Sequence, residues 1–465
     1  MASSRPVSES SPSRVTYARR LGLFSGTMAV IGGIIGGGIF LTPATVAERV
    51  GSAPLIIVAW VVGGVVALVG ALCFGELGAR RPKAGGGYVY LREAWGPLPA
   101  FLYGWALLFL IATGAIAAVA MMFATYALPL VGLPPRLTVP LAAGAVVFLT
   151  GLNYVGVKPA AVTQNIFTVL KLAALAALIV AGLSAVSFTA LDRPPPPSTA
   201  AHVAVTLGAA LVPILFTYGG WQQTNFIAEE IIEPERNLPR ALVLGVAVVV
   251  AVYLLANVAY LRVLGPGGLA ATSAPAAAVM RAVLGRAGGT LIAAGIAAST
   301  FGFLNLVILV TPRVFQAMAA DGVFFSRLAE LHPVHRTPTA AIVLQGAWAI
   351  VLTVSYGTFS QLVDYVAFGD WIFFGLTVAG LFVYRRRDLT PWPPLHDVER
   401  GNAREATARP LFRAPAYPWT PALFVLAALY VVASAVLANP RNALIGTGLL
   451  LLGVPVYGVF RRVRR

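Results

Sequence analysis

Two glycine-rich stretches interrupt long apolar segments of this chain, and both would expose backbone polar groups inside a membrane. The first, residues 32–38, reads Gly-Gly-Ile-Ile-Gly-Gly-Gly and holds five glycines in seven residues. Each glycine costs about 1 kcal/mol relative to alanine in a helix, and lipid cannot satisfy the N–H and C=O groups of a broken helix. We therefore expect this span to break at mid-depth and to face protein or a polar cavity.

The second stretch, residues 216–225, reads Phe-Thr-Tyr-Gly-Gly-Trp-Gln-Gln-Thr-Asn. A helix that ends at a break leaves carbonyls free, and a helix that begins there leaves N–H groups free. Such ends suit a cation and an anion respectively, so two breaks together match the ammonium and carboxylate of an α-amino acid. The alternative for either stretch is close helix packing, since Gly32/Gly36 and Gly33/Gly37 are small-xxx-small pairs.

The composition indicates the elements that must hold these breaks. The 465 residues are 58% hydrophobic and 11% charged, with a mean hydropathy of +0.83, whereas soluble domains are about 25% charged. Apolar runs long enough to cross a bilayer recur along the chain, which predicts an all-α integral membrane protein. The expected spans are 21–49, 54–79, 94–128, 138–156, 162–188, 203–231, 240–264, 288–319, 339–356, 361–384, 417–437 and 441–460.

The distribution of basic residues predicts the orientation of these twelve spans. With the N-terminus inside, 25 of the 33 Lys and Arg residues fall on the inner side and seven on the outer side. This asymmetry predicts a multi-pass protein of the plasma (inner) membrane with both termini cytoplasmic. The net charge of +16 is then explained by topology and by contact with the lipid bilayer, and no nucleic-acid partner is expected.

The breaks also predict how the chain is organised. Each broken span opens a set of five, and because five is odd the second set inserts upside down relative to the first. Interrupted spans at matching positions of inverted halves indicate a transporter site at the bilayer midplane. The expected segments are a cytoplasmic tail (1–20), a first five-helix repeat (21–188), a second inverted repeat (189–384), a cytoplasmic loop (385–416), and two additional helices with a basic tail (417–465).

Several motifs resemble the amino acid–polyamine–organocation superfamily, and its L-type amino acid transporter branch in particular. They are residues 32–40 with Pro43, Glu76-Leu77-Gly78, residues 85–91, residues 216–221, Glu229-Glu230, residues 234–239, and the later Arg313, Asp321-Gly322, His332-Pro333 and Thr337-Pro338. The resemblance covers nearly the whole chain. It implies a LeuT-like 5+5 inverted repeat with broken helices one and six, and sodium-independent exchange of amino acids.

The resemblance also implies a substrate site. The carboxylate contacts of the family fall on the backbone of Gly36, Gly37 and Gly38, and the ammonium contacts fall on the carbonyls of Ile35 and Phe216. Gly219 leaves room for the substrate, and Phe216 matches the aromatic that covers it. Many relatives have serine at the position of Gly37, so here only the backbone serves the carboxylate.

Four charged residues near or within the spans have more than one interpretation. Lys158 is either a snorkelling lysine or, by the resemblance, the ammonium that replaces a sodium ion between spans one, five and eight; it could also carry a proton. Asp370 lies inside span ten, where a carboxylate indicates function; it could attract a cationic substrate, carry a proton or pair with a polar neighbour. Glu229 and Glu230 form either an inner gate with Arg80, Arg81 and Lys83, or a solvated helix end.

These observations predict sodium-independent exchange of small neutral L-amino acids by alternating access. A proton-coupled amino acid symporter, or a symporter of cationic amino acids or polyamines, is the nearest alternative, and an ion channel is an alternative of another class. No enzyme activity is expected, because the ionisable residues at depth are scattered, and no cofactor or metal is expected. Cys73 is the one cysteine in the sequence, and loop 129–137 has none, so no disulfide-linked accessory subunit is expected.

Overall fold

The computed structural model describes residues 16–185, 200–355, 359–387, 411–438 and 440–463, and these residues are almost entirely helical. The predicted tail (1–20) and loop (385–416) therefore lie largely outside the described residues. The helices are α1 (Leu23–Ile34), α2 (Gly38–Val50), α3 (Ala53–Arg80), α4 (Gly87–Trp95), α5 (Pro97–Ala106), α6 (Ala112–Ala127), α7 (Thr138–Val155), α8 (Val157–Ser184), α9 (Ala200–Thr217), α10 (Pro234–Ala270), α11 (Pro275–Val310), α12 (Pro312–Ala320), α13 (Thr339–Ser355), α14 (Phe359–Arg386), α15 (Trp419–Ala438), α16 (Pro440–Leu451) and α17 (Gly453–Val463).

Long apolar helices identify the protein as a multi-pass membrane protein. Among the described residues, eight helices are long and apolar enough to cross a membrane, or nine when the bent pair α1–α2 is taken as one span. Helices also lie along the other predicted spans, including the shorter apolar α13. Length and composition do not establish the full set of twelve spans, which stays a prediction.

Both glycine-rich stretches break a helix, as the sequence predicts. Helices α1 and α2 meet at an angle of 42°, with Ile35 to Gly37 between them. Helix α9 ends at Thr217, and the chain continues after Gly220 as a 3₁₀ segment, Trp221–Glu230. Gly220 has φ +108, in the left-handed region that glycine adopts without strain.

The two breaks touch each other through their backbones. A Cβ added to Gly220 would lie 2.1 Å from the carbonyl oxygen of Gly33, and one added to Gly33 would lie 2.9 Å from the carbonyl oxygen of Gly220. A Cβ on Gly32 would lie 1.9 Å from the amide nitrogen of Gln164 on α8. Close packing therefore explains Gly32, while Gly33 both packs against the second break and, together with residues 36–38, lines a cavity.

Helix α8 begins earlier than the sequence predicts, at Val157 rather than near residue 162. It runs beside α1 and α11, so its side chains reach the break between α1 and α2. Helix α10 packs along both α3 and α1. These neighbours bury the first break on most sides and leave one side of it open to the cavity.

Candidate functional site

A cavity of about 360 Å³ lies between the two breaks. It is mostly apolar, with polar groups from Thr42, Thr217, Gln222, Gln223, Thr311 and Asp370. It extends along α2 as far as Arg49. This direction leads away from residues 16–21, and we call the side of the molecule that carries those residues the tail side. Apolar cavities with a few convergent polar groups are typical of small-ligand sites.

The N-terminus of α2 faces this cavity through Gly36, Gly37 and Gly38. The Gly36 N–H already donates to the carbonyl of Ile34 at 2.9 Å, whereas the first N–H groups of a helix have no partner within the helix. Gly37 is the N-cap residue of α2. The structure therefore places the three predicted glycines together, with a helix N-terminus that favours an anion.

Met122 on α6 occupies the space next to Gly37. A Cβ added at Gly37 would lie 2.3 Å from the Met122 sulfur. A serine at this position would therefore displace Met122. The methionine side chain is flexible, so it fills the space that the missing Cβ of Gly37 leaves in this chain.

Ile35 does not face the cavity, although the sequence analysis assigned its carbonyl to the substrate ammonium. Ile35 is fully buried and its carbonyl accepts hydrogen bonds from Lys171 Nζ at 2.6 Å and from Ser299 Oγ at 3.3 Å. Lys171 engages one lone pair of this oxygen, and Ser299 shares its single hydroxyl proton between this oxygen and the carbonyl oxygen of Gly36. The carbonyl of Ile35 therefore helps to hold the break between α1 and α2 in its conformation.

Lys171 reaches the break between α1 and α2, whereas Lys158 does not. The Lys171 ammonium is fully buried and also donates to the carbonyl of Gly32 at 3.1 Å, while Ser299 Oγ donates to the carbonyl of Gly36 at 2.9 Å. Lysine and serine thus join the broken helix to α8 and α11. Lys158 is exposed at the start of α8, on the tail side.

A depth argument from the sequence could have found Lys171. At about 1.5 Å per residue, Lys171 lies roughly 20 Å along α8 from Lys158. Ile35 lies about 18 Å along the broken span from Leu23, and spans one and five are predicted to run in the same direction. Lys171 lies well inside the predicted span 162–188, and a lysine at that depth is itself an indication of function.

The second break contributes Phe216 and Gly219 to the cavity wall. The carbonyl of Phe216 accepts a hydrogen bond from the Gly219 N–H at 3.0 Å and keeps a second lone pair. Gln222 Oε1 accepts from the Gly220 N–H at 3.0 Å, and the Oε1 atom of Gln223 is buried without a partner. Backbone and amide groups thus line the cavity at this break.

Asp370 on α14 places a carboxylate on the cavity wall, beside Trp371 and Phe374 and across from Tyr103. Its side chain is half-buried. Among the residues that the structure describes, none forms a hydrogen bond or an ion pair with this carboxylate. The cavity therefore offers one unpaired negative group that a ligand can reach.

On the tail side, Glu230 forms a buried ion pair with Arg313. Arg313 Nε lies 2.7 Å from Glu230 Oε1, and both side chains have zero exposure. Arg313 also donates to the carbonyl of Leu309. The predicted gate also included Arg80 and Arg81, which form ion pairs with Glu76 and Glu93. The sequence assigned no role to Arg313, because its partner lies 83 residues away.

The segment that precedes α1 covers this ion pair. The N–H groups of Arg20 and Leu21 donate to the Glu230 carbonyl at 2.9 and 3.0 Å, and the Ile232 N–H donates to the Leu21 carbonyl at 2.8 Å. The Arg313 guanidinium lies 5.8 Å from the centre of the Tyr17 ring. Burial raises the pKa of Tyr17, so its protonated hydroxyl can donate to Gln316 at 3.5 Å.

Glu229 and Glu76 complete the charged layer on the tail side. Glu229 is half-buried and accepts a hydrogen bond from the Ala84 N–H. Glu76 is fully buried and accepts from Arg80, from Arg385 and from the Ala414 N–H. The layer thus joins α3, α14 and the residues before α15.

Comparison with known proteins agrees with this geometry. The model of the amino acid permease family matches residues 21–460. The human b(0,+)-type amino acid transporter 1 is 34% identical over 386 residues, which cover 82% of this chain and 79% of the relative. The mouse large neutral amino acids transporter small subunit 2 is 32% identical over 474 residues, which cover 98% of this chain and 85% of the relative. The chain therefore belongs to the amino acid permease family of the amino acid–polyamine–organocation superfamily, and it is a transporter rather than an enzyme.

Proposed function

We propose that this protein exchanges small neutral L-amino acids across the plasma membrane without sodium. The observation that carries the proposal is the Lys171 ammonium, which donates to the carbonyls of Gly32 and Ile35 next to the free N-terminus of α2. In this proposal the Lys171 side chain, by donating to these carbonyls, replaces the stabilisation that a bound sodium ion would supply. The relatives named as amino acid transporters support the same substrate class.

In this proposal the breaks bind the parts that all amino acids share. The substrate carboxylate accepts hydrogen bonds from the N–H groups of Gly37 and Gly38, where the helix dipole favours an anion. The substrate ammonium donates to the carbonyl of Phe216, and Phe216 and Gly219 shape the wall above it. Met122 narrows the cavity near Gly37, which favours a small side chain.

We also propose that transport proceeds by alternating access with both termini in the cytoplasm. The cavity extends to Arg49 on one side, and the buried pair Glu230–Arg313 lies on the other. In the proposed orientation this conformation is open to the outside and closed to the inside. Twelve spans in two inverted sets of five, with two additional helices, remain part of the proposal, in which spans 1, 2, 6 and 7 rock against spans 3, 4, 8 and 9.

The test uses purified protein in liposomes without sodium. Vesicles are loaded with alanine, serine, leucine or arginine, or left empty, and uptake of the matching labelled amino acid is followed. Exchange predicts uptake only into loaded vesicles. Uptake into empty vesicles that an inward pH gradient drives would instead select a proton symporter, and uptake that does not saturate would select a channel.

Asp370 favours a second candidate, the transport of cationic amino acids. An unpaired carboxylate on the wall of an apolar cavity attracts a cationic side chain, and no cation among the described residues neutralises it. The same liposomes distinguish the two candidates. Faster exchange of arginine than of alanine at equal concentration would support the cationic class.

We propose further that transport requires no disulfide-linked subunit. Cys73 is the one cysteine in the sequence and is buried, which removes it from reach of another chain. Cys73→Ala protein should exchange amino acids at the wild-type rate. A loss of transport by this variant in folded protein would contradict the proposal.

A further inference from the structure

A second pocket lies on the tail side, between the start of α1 and the start of α8. Its volume is about 570 Å³, and its polar lining comes from Arg20, Ser25, Lys158 and Asn165. Lys158, which does not reach the break, thus lies in a site of its own. This pocket shares no residue with the central cavity.

The pocket is built to receive an anion. Arg20 and Lys158 are exposed, and no carboxylate from the described part of the chain lines the pocket. Neither cation has a hydrogen-bond acceptor or ion-pair partner for its side chain among the described residues. The N-terminus of α8, a helix of 28 residues, adds the positive end of its dipole beside Lys158.

A hydroxyl donor adds to these charges. Ser25 Oγ accepts a hydrogen bond from Asn165 Nδ2 at 3.2 Å, which links α1 to α8 and leaves the serine proton free to donate. A phosphate oxygen between Arg20 and Lys158 would accept that proton. Two cations, a hydroxyl and a helix N-terminus are the donors that phosphate groups prefer.

The surroundings of the pocket indicate that the anion carries an apolar part. Val162 lines the pocket and is 50% exposed, while Phe24 on α1 is 60% exposed and Ile166 on α8 is 53% exposed. In a membrane protein such side chains face lipid tails. A basic pocket between two spans, bordered by lipid-facing side chains, is typical of a headgroup site.

We propose that this pocket binds one anionic phospholipid, with its phosphate between Arg20 and Lys158 and its acyl chains along Phe24, Val162 and Ile166. The lipid would fasten α1 to α8. Because the backbone of Arg20 also binds the Glu230 carbonyl, the lipid would stabilise the closed tail side. The proposal does not depend on which substrate is transported.

The test compares lipid binding by three full-length proteins in detergent. The pocket variant is Arg20→Gln/Lys158→Gln, which keeps the backbone bonds of Arg20. The matched control is Arg240→Gln/Arg327→Gln, because both arginines are exposed and their removal changes the net charge equally. Phosphatidylglycerol or phosphatidylcholine is added, and retained lipid is counted by native mass spectrometry together with the thermal midpoint.

We expect wild-type and control protein to retain one phosphatidylglycerol in preference to phosphatidylcholine and to gain several degrees in thermal midpoint from it. The pocket variant should lose at least tenfold in that preference and lose the gain in midpoint. Equal retention by all three proteins would overturn the proposal. Inorganic phosphate alone should not raise the midpoint; if it does so as strongly as the lipid, the site binds a soluble anion instead. Lys158→Gln alone, at an exposed position, repeats the test if the double variant does not fold.

Discussion

At the scale of single residues, the two lysines of α8 have different surroundings and should have different functions. Lys171→Met removes the donor to the carbonyls of Gly32 and Ile35. Exchange should fall at least about tenfold, because hydrogen bonds from a charged group contribute roughly 1.5–3 kcal/mol each. The measurement is initial exchange rate in vesicles of neutral lipid.

The matched control is Lys158→Met in the same vesicles. This side chain is exposed and lies outside the cavity, so exchange should stay within about twofold of wild type, as is usual for surface substitutions. The opposite pattern, with Lys158→Met inactive and Lys171→Met active, would restore the assignment that the sequence analysis made.

Asp370 supplies the second prediction at this scale. Asp370→Asn keeps the size of the side chain and removes its charge. If cationic substrates bind here, the KM for arginine should rise roughly tenfold to a hundredfold, equivalent to about 1.5–3 kcal/mol for a charged hydrogen bond. The KM for alanine should not change, since the side chain of alanine carries no charge.

Competition assays with labelled alanine and unlabelled arginine measure this difference directly. An equal loss of both substrates would assign Asp370 to packing or to coupling. An unchanged KM for both would show that the carboxylate does not meet the substrate side chain.

The residues of the site differ in how far the sequence could predict them. The two breaks could be predicted because a glycine cluster that interrupts a helix exposes backbone, whatever surrounds it, whereas the assignment of residues 36–38 and Phe216 to the substrate came from the resemblance. To find Lys171, the depth of residues along spans one and five must be compared. The predicted start of α8 was five residues too late, which hid that comparison. The pair Glu230–Arg313 joins two distant segments, and several other arginines on the tail side were equally plausible partners before packing was known.

At the scale of elements, the two breaks meet in a backbone-to-backbone contact at Gly33 and Gly220 that leaves no room for a side chain. Gly220→Ala would place a Cβ 2.1 Å from the Gly33 carbonyl oxygen at a residue with φ +108. Because backbone cannot yield as a side chain does, the variant should lose about 3 kcal/mol or more of stability. The measurement is the thermal midpoint and the monodisperse yield in detergent.

Gly22→Ala is the control for this prediction. Gly22 immediately precedes α1, and a Cβ there would meet no atom within 4 Å. Its midpoint should match that of the wild type. A stable Gly220→Ala protein would mean that the breaks separate more readily than their contact indicates.

The elements themselves follow from local properties of the sequence. Apolar runs and glycine clusters are local patterns, so the positions of the helices and of both breaks could be predicted. The length of α8 could not, because its first turn, with Lys158 and Pro159, precedes the apolar run. Helices α10 and α11 exceed the predicted spans in part because each range includes a break, at Gly265 (φ +64) and at Gly285 (φ +61), beyond which a short helix adjoins the span.

At the scale of the whole molecule, the cavity and the tail-side ion pair together would describe one state of the proposed alternating-access cycle. The cavity reaches Arg49 past Thr42, and the route towards the tail side meets Glu230 and Arg313 beneath Tyr17. Removing Arg313 leaves a buried carboxylate without its partner, which costs about 3–5 kcal/mol. The closed tail side should then open.

Thiol labelling measures that opening in the intact transporter. In a Cys73→Ala background, Thr42→Cys and Thr311→Cys place a single thiol near opposite ends of the cavity wall. A membrane-impermeant reagent should label Thr42→Cys from outside, and should label Thr311→Cys from inside only slowly. Adding Arg313→Leu should speed labelling of Thr311→Cys from inside at least tenfold and slow labelling of Thr42→Cys, because opening one side closes the other. Labelling of Thr42→Cys from the cytoplasmic side alone would reverse the proposed orientation, and labelling of both sites from both sides at once would indicate a continuous pore and a channel.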